Sequence, residues 1–351
     1  MFNMPTTLTI DDLRFNPPSF RYSVMAEFLE ARYGVGGDMK SLEGERDQNT
    51  RVVTATGVAY VLKIAGPDEG FDLVDLQIKA LEHIRATDPT LPVPQHIRTL
   101  DGELSTVIKD ETGVPHYVRL LTYVAGTPMD AVEPPSDEQI IEIGSLTARI
   151  CVAMKAFKHP AAKLFMPWDI MNGLVICDEF RDKYILPDLT DRCAPHLDRL
   201  RDVSLPMMAK LPTQVVHNDA HLGNLLTDPA RANSVVGVID FGDVVDRPLV
   251  VDHSSTLASI IEMNADVTGC SRLILEGFEA HCAVSDEEVS LLYDALFARL
   301  ALSVQLFQFR LLEVSHDEEI KRFYLPQVTQ ALNNLLATDR SRYTSTLMRG
   351  R

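Results

Sequence analysis

Val215-Val216-His217-Asn218-Asp219-Ala220-His221-Leu222-Gly223-Asn224-Leu225-Leu226 is a polar turn slung between two apolar runs. Val215-Val216 deliver a strand into the turn, and Leu225-Leu226-Thr227 read as a short strand leaving it. The turn holds a carboxylate at Asp219 and a carboxamide at Asn224. A further apolar run, Val235-Val236-Gly237-Val238-Ile239, ends in Asp240-Phe241-Gly242-Asp243 and adds a third oxygen ligand at Asp240.

Outward from this turn, the totals bound the answer. A chain of 351 residues is long enough for two lobes with substantial cores. Its 46% hydrophobic and 24% charged content is that of a globular protein. The absence of an apolar run of about 18 residues argues against a membrane span. Met1-Phe2-Asn3-Met4-Pro5 lacks the basic start and apolar core of a signal peptide, so a cytoplasmic location is expected. Cys151, Cys177, Cys193, Cys270 and Cys282 stand singly, without C-x-x-C pairs, and read as buried thiols. A net charge of −17 opposes nucleic-acid or anionic-membrane partners and would suit a cationic small substrate.

Residues 1–19 read as an irregular arm. The spacing of Val24, Met25, Phe28 and Leu29 predicts a helix over residues 20–33, with Gly34 as its stop. Gly34-Val35-Gly36-Gly37 follows a helix rather than a strand, so it reads as a cap and turn, not a nucleotide loop. Arg51 to Thr54 and Val58 to Ile64 predict an antiparallel pair turning near Gly57, with Tyr60, Leu62 and Ile64 on one face. Lys63 falls on the other face, in an apolar strand, where an ammonium needs a partner. A phosphate is one candidate; an edge position facing water is the alternative. Phe71 to Ala86 predicts a helix with Leu73, Leu76, Ala80, Leu81 and Ile84 inward and Asp72, Asp75, Gln77 and Glu82 elsewhere. Leu104 to Lys109 and His116 to Leu121 predict strands bracketing a Gly113 turn. Residues 122–128 read as a linker. Beyond it helices dominate: Ser136 to Phe157 and Ser285 to Phe309, each opened by a capping box, then Phe180 to Arg201, His253 to Met263, Ser271 to Cys282 and His316 to Ala337.

A catalytic-loop Asp, a metal-binding Asn and then a metal-binding Asp in a D-F-G turn is the order in which kinases present their chemistry. Mg²⁺ prefers one or two protein oxygens together with waters and phosphate oxygens, which Asn224 and Asp240 would complete. Asp219 would sit beside the acceptor hydroxyl, orienting it and taking its proton. Lys63 would neutralise nucleotide phosphates. His217 and His221 also spell H-x-D-x-H, an alternative metal site without a further ligand cluster nearby. His217 more simply braces the turn, and His221 faces either substrate or solvent.

At these residues the chain resembles the aminoglycoside phosphotransferase and choline kinase superfamily. His217-Asn218-Asp219-x₄-Asn224 and Ile239-Asp240-Phe241-Gly242-Asp243 are similar to its two signature motifs. Gly44-Glu45-Arg46-Asp47-Gln48-Asn49, Tyr60-Val61-Leu62-Lys63-Ile64, Leu76-Gln77 with Ala80-Leu81-Glu82-His83, and Pro167-Trp168-Asp169 look most like its hydroxylysine kinase-like members. The resemblance spans residues 40–255. It implies an α+β, protein-kinase-like bilobal fold: an N-terminal nucleotide lobe over residues 1–121 with an antiparallel sheet and one main helix, a hinge at 122–128, and a helical catalytic lobe over 129–351. The nucleotide base would lie against the linker at Leu121 and Tyr123, and the hairpin with Gln48 and Asn49 would cover the phosphates. The acid paired with Lys63 would be Asp75, with Glu82 as the other candidate. Trp168, Asp169, Asp243 and His221 would face the acceptor.

The implied activity is Mg²⁺-dependent transfer of the γ-phosphoryl group of ATP or GTP to the hydroxyl of a small amino alcohol or hydroxy amino acid. The alternatives are a homoserine- or choline-type kinase, an aminoglycoside phosphotransferase and, from another class, a non-catalytic nucleotide-binding regulator. No activation segment ending in an Ala-Pro-Glu-like signature follows Asp243, which argues against a protein kinase.

Overall fold

The computed structural model describes Leu13, Phe15 and residues 17–179, 186–228, 230, 234–314 and 318–349. The chain divides into two compact units, one over Leu13–Ala125 and one from Gly126 onward.

The first unit is a sheet with helices against it. α1 spans Tyr22–Tyr33 and stops at Gly34, whose φ of 62° and N–H bond to Glu30 O make a left-handed cap, as the glycine predicted. β1 (Asp38–Leu42), β2 (Gln48–Val53), β3 (Ala59–Ile64), α2 (Phe71–Thr87), β4 (His96–Ile97), β5 (Thr106–Lys109) and β6 (Pro115–Thr122) follow. The sheet order is β1-β2-β3-β6-β4, with β5 on β6, and every pairing is antiparallel. The tight turn from Thr54 to Val58 carries Gly57 at φ 83°, where the hairpin was expected. The sequence did not reveal β1, a strand without apolar alternation that is recruited by β2.

Period-two alternation decides what each face does. Leu62 and Ile64 join Val52, Val118 and Leu120 in a core against Met25, Leu29 and Tyr33 of α1. The opposite face carries Asn49, Lys63 and Arg119, which are register partners across β2, β3 and β6. Two cations side by side in a sheet repel unless an anion lies between them.

The second unit begins with β7 (Thr127–Pro128) and α3 (Asp137–Met154). α4 (Ile170–Glu179), α5 (Pro187–Arg199), α6 (Leu205–Met208), β8 (Gln214–Val216), β9 (Leu225–Thr227), β10 (Val235–Val238) and β11 (Val245–Arg247) come next. α7 (Leu249–Met263), α8 (Val267–Glu279), α9 (Asp286–Phe309), α10 (Leu325–Ala337) and α11 (Arg340–Met348) complete it. Both capping boxes are formed: Ser136 with Gln139 opens α3, and Ser285 with Glu288 opens α9. Gly144 and Gly277 let α3 and α8 cross backbone to backbone, because a Cβ on either would collide with the other helix's carbonyls. The expected helices over 180–201 and 316–337 lie partly outside the described residues, and α11 was not expected.

Among the described residues, one helical stretch, Asp286–Val314, is long and apolar enough to cross a membrane, but 94% of its apolar window is buried inside the protein. That is the pattern of a core helix. α4, α7, α10 and α11 pack on α9, while α3 and α8 pack on each other.

Candidate active site

Strand pairing assembles the second unit's polar turns. β8 pairs with β11, and β9 pairs with β10. The β8–β9 loop carrying Asp219 and Asn224 therefore lies beside the β10–β11 turn carrying Asp240. Ile239 N–H donates to Asn224 O at 2.9 Å, and His217 Nε2 donates to Ile239 O at 3.2 Å. The His217 ring also packs on Phe241, centroids 4.5 Å apart. His217 is thus a brace between the two turns.

The two non-glycine residues with positive φ in the described backbone are Asn218, at 65°, and Asp240, at 61°. Asn and Asp are the residue types that tolerate this region, at a cost on the order of 1 kcal/mol. At Asn218 the surroundings enforce it: its N–H donates to Asp252 Oδ1 at 2.7 Å, and its carbonyl accepts from Arg299 Nη1 at 3.4 Å. Strain held in place at two successive motifs is characteristic of functional turns.

Asp219 is gripped from several directions. Arg299 Nη2 donates to Oδ1 at 2.8 Å, Asn224 Nδ2 donates to Oδ2 at 3.1 Å, and His221 Nε2 lies 3.6 Å from Oδ2. Burial alone would push this carboxyl up, but the charges of His221, Arg299 and His217 hold it well below the usual carboxylate range. His221 Nδ1 accepts the Gly223 N–H at 3.0 Å, which directs the Nε2 proton toward Asp219. Against burial, Asp219 and Asp130 raise the His221 pKa. The ring nitrogens of both histidines are thus engaged within the turn instead of converging on a common point, against the H-x-D-x-H alternative. A Cβ at Gly223 would lie 2.7 Å from His221 Cε1 and 2.8 Å from Asp130 Oδ2, so any other residue there would displace these two side chains.

Arg299 went unnoticed in the sequence, although a signal existed. It is the one basic residue of α9, and a lone cation on a buried helix requires an anion. Its guanidinium also lies 5.1 Å from the Trp168 ring centroid and donates to Trp168 O at 3.0 Å. Trp168 therefore stands next to Asp219's partner.

Asp169 corrects the expectation that it faces the acceptor. It is 0% exposed, 2.6 Å from Arg247 Nη2, and accepts from Met171 N–H and Asn172 Nδ2. Fully buried and paired with the equally buried Arg247, it serves the fold. Asp243 is buried within the 241–243 turn. Glu262, half-buried near the end of α7, was not singled out in the sequence. Burial pushes it up to about 7, with His221 and Arg299 opposing and Asp130 reinforcing. These causes place Glu262 and Asp130 in the electrostatic neighbourhood of His221.

In the first unit, Asp47 Oδ2 stands 3.3 Å from Lys63 Nζ and 3.3 Å from Arg119 Nη2. It is the anion that the Lys63–Arg119 row demands. Asp75 is held by Lys79 at 2.6 Å, and Glu82 by Arg85 at 3.2 Å. Gln77, assigned to a polar face, is buried instead, because it bridges Arg119 and Glu69. Gln48 clasps both backbone groups of Phe20, at 2.6 and 2.9 Å, so its side chain fastens the arm before α1 rather than a phosphate. Asn49 Nδ2 donates to Glu43 O at 2.9 Å and closes the β1–β2 turn. Leu121 is buried on β6, and the Tyr123 ring lies 4.4 Å from the Arg51 guanidinium.

Known proteins resemble this chain in sequence and in fold. Hydroxylysine kinase of Mus musculus is 26% identical over 314 residues, covering 82% of this chain and 81% of the mouse protein. Hydroxylysine kinase of Xenopus laevis is 21% identical over 330 residues, 88% and 87% of the two chains. A microcompartment-associated aminopropanol kinase superposes with a TM-score of 0.70 at 17% identity, over 93% of this chain and 98% of that one. Amicoumacin kinase hAmiN, solved with AMP-PNP, Ca²⁺ and Ami, gives 0.69 at 15% identity, over 92% and 97%. The fold is accordingly the α+β kinase-like fold. Residues 38–288, well over half of the chain, match the model described as the phosphotransferase enzyme family. The chain belongs to that family, as a small-molecule kinase whose acceptor is a hydroxyl group.

Proposed function

We propose that the protein transfers the γ-phosphoryl group of ATP or GTP to the hydroxyl of a small amine-bearing acceptor, with hydroxylysine as the leading example. The observation that carries this reading is Asp219 held as a carboxylate by Arg299 and Asn224. As the acceptor oxygen bonds to the γ-phosphorus and the bond to the β-phosphate oxygen breaks, the hydroxyl proton passes to Asp219. A carboxylate with so low a proton affinity orients the hydroxyl first and takes the proton late, which suits a loose transition state. Arg299 and Trp168 position that carboxylate.

The donor set fits Mg²⁺. Asn224 Nδ2 is tied to Asp219, and Oδ1 has no hydrogen-bond partner among the described residues, while Asp240 is exposed at the head of its turn. Bound by these two side chains, Mg²⁺ would neutralise phosphate charge. Asp240→Ala is expected to remove most of the Mg²⁺-dependent gain in nucleotide affinity. Titrating nucleotide with and without Mg²⁺ checks this, and an unchanged gain would contradict the assignment.

Support for an amine-bearing acceptor comes from the hydroxylysine kinase and aminopropanol kinase relatives and from Glu262 and Asp130 near His221. A charged hydrogen bond of this kind contributes about 1.5–3 kcal/mol. Glu262→Gln is therefore expected to raise KM for a cationic acceptor roughly tenfold or more while leaving the nucleotide KM unchanged. Equal losses on both sides would assign Glu262 to the fold. The reading implies soluble small-molecule partners in the cytoplasm, without nucleic acid or membrane. Its direct test is a coupled nucleotide-turnover screen over hydroxylated amino acids, amino alcohols and aminoglycosides, with ATP and GTP in turn. Turnover highest on a homoserine, choline or aminoglycoside acceptor would replace hydroxylysine as the substrate. No turnover with any acceptor would favour a nucleotide-binding regulator.

A further inference from the structure

The buried polar groups beneath Lys63 form a chain with one gap. Asp47 Oδ2 serves both Lys63 and Arg119. Arg119 Nη1 donates to Gln77 Oε1, and Gln77 Nε2 donates to Glu69 Oε1 at 2.6 Å. Two oxygens are left over: Asp47 Oδ1 and Glu69 Oε2, both buried and without a donor among the described residues. The two carboxyl groups lie within hydrogen-bonding reach of each other. As two anions they would repel and leave both oxygens unsatisfied. A single proton between them satisfies both.

The surrounding charges decide where that proton rests. Asp47 faces Lys63 from β3, Arg119 from β6 and Arg46 beside it in the chain; despite burial, these cations draw it down to about 2. Glu69 precedes α2 and faces Asp47, with Arg119 and Arg46 opposing. Burial first, and then the charge of Asp47, push it up to about 7. His96 of β4 is lowered to about 3, by burial and then by Arg119, Lys63 and Arg85, so it brings no competing charge.

We propose that Glu69 is protonated in the folded protein and donates to Asp47, and that this proton-bridged pair positions the Lys63 ammonium. Asp47 and Glu69 are positioning residues, acting through Lys63. The consequence for the nucleotide rests on the reading of Lys63 as a phosphate partner; the shared proton does not. With the proton in place, the pair carries one negative charge against the two cations of the row, and Lys63 keeps attraction to spare for phosphate. Loss of the proton adds an anion, draws Lys63 inward and weakens phosphate binding. Because Glu69 is an acid with a raised pKa, the pair is intact below about pH 7 and lost above it, so nucleotide affinity falls as pH rises through that value.

The test uses the full chain and Mg·ADP as the probe. Wild-type affinity is expected to drop roughly tenfold from the acid to the alkaline side of the transition. Glu69→Gln, which places a permanent N–H donor where the proton was, should hold the low-pH affinity throughout. Titration of the nucleotide itself is common to both proteins and cancels in the comparison. On the intact wild type, infrared spectroscopy on the acid side should show a protonated-carboxyl C=O band that Glu69→Gln lacks. Absence of that band, or the same pH profile in both proteins, overturns the proposal. If the band is present and Lys63→Met leaves nucleotide affinity unchanged, the shared proton stands and the phosphate reading of Lys63 falls.

Discussion

Asp219→Asn is expected to lower kcat by roughly 10²–10⁴-fold while leaving nucleotide affinity nearly unchanged. The substitution keeps an oxygen for Arg299 Nη2, now 2.8 Å away, and so preserves much of the local geometry. On the proposed reading, it removes the group that receives the acceptor's proton. The Mg²⁺ ligands of the reading above, Asn224 and Asp240, are not altered. Calorimetric titration with nucleotide, paired with single-turnover measurement of phosphoryl transfer, separates the two effects. Turnover near wild type would remove Asp219 from the chemistry. A parallel loss of nucleotide affinity would mean that the Asp219–Asn224 hydrogen bond is needed to hold Asn224 in place.

Asp169→Ala should have the largest effect on stability. Arg247 is 2% exposed and its guanidinium meets Asp169 at 2.6 and 2.8 Å, so deleting the carboxylate strands a buried cation. Breaking such a pair from one side costs about 3–5 kcal/mol, which for a chain of this size lowers Tm by on the order of 10 °C. Thermal unfolding of the purified variant measures it. The folded fraction should retain the wild-type KM for acceptor, because Asp169 is 0% exposed and out of a substrate's reach. A variant with unchanged Tm and a raised acceptor KM would return Asp169 to the substrate. By contrast, the Lys158 and Lys163 contacts to Asp246, at 3.8 and 3.9 Å with both lysines well exposed, should contribute little when removed.

Much of the local structure follows from chemistry that neighbouring residues settle among themselves. Ser136-x-x-Gln139 and Ser285-x-x-Glu288 start helices because each side chain reaches back to its partner's backbone. Gly34 ends α1 because it tolerates φ 62°. The alternation in Tyr60 to Ile64 assigns Leu62 and Ile64 to the core and Lys63 to the far face, as found. The spacing from Asp219 to Asn224, followed by a strand and Asp240, was legible in the same way.

What neighbours cannot settle is which distant group answers each buried charge. Arg299 lies 80 residues from Asp219 along the chain and reaches it because α9 runs through the core of its unit. Asp47 meets Lys63 and Arg119 because strand register brings the two cations side by side and the β1–β2 turn carries an acid over them. Gln77 is buried though its helix position reads as polar, and Asp169 and Gln48 are fastened to the fold though their motifs read as sites. The sequence by itself determined the capped helix starts, the Thr54–Val58 hairpin with the two faces of β3, and the order of Asp219, Asn224 and Asp240, since these depend on periodicity and on contacts a few residues apart. Only the tertiary structure decided the partners of Asp219, Lys63 and Arg247, because a buried charge is satisfied by whatever group packing brings to it, and packing is a property of the whole chain.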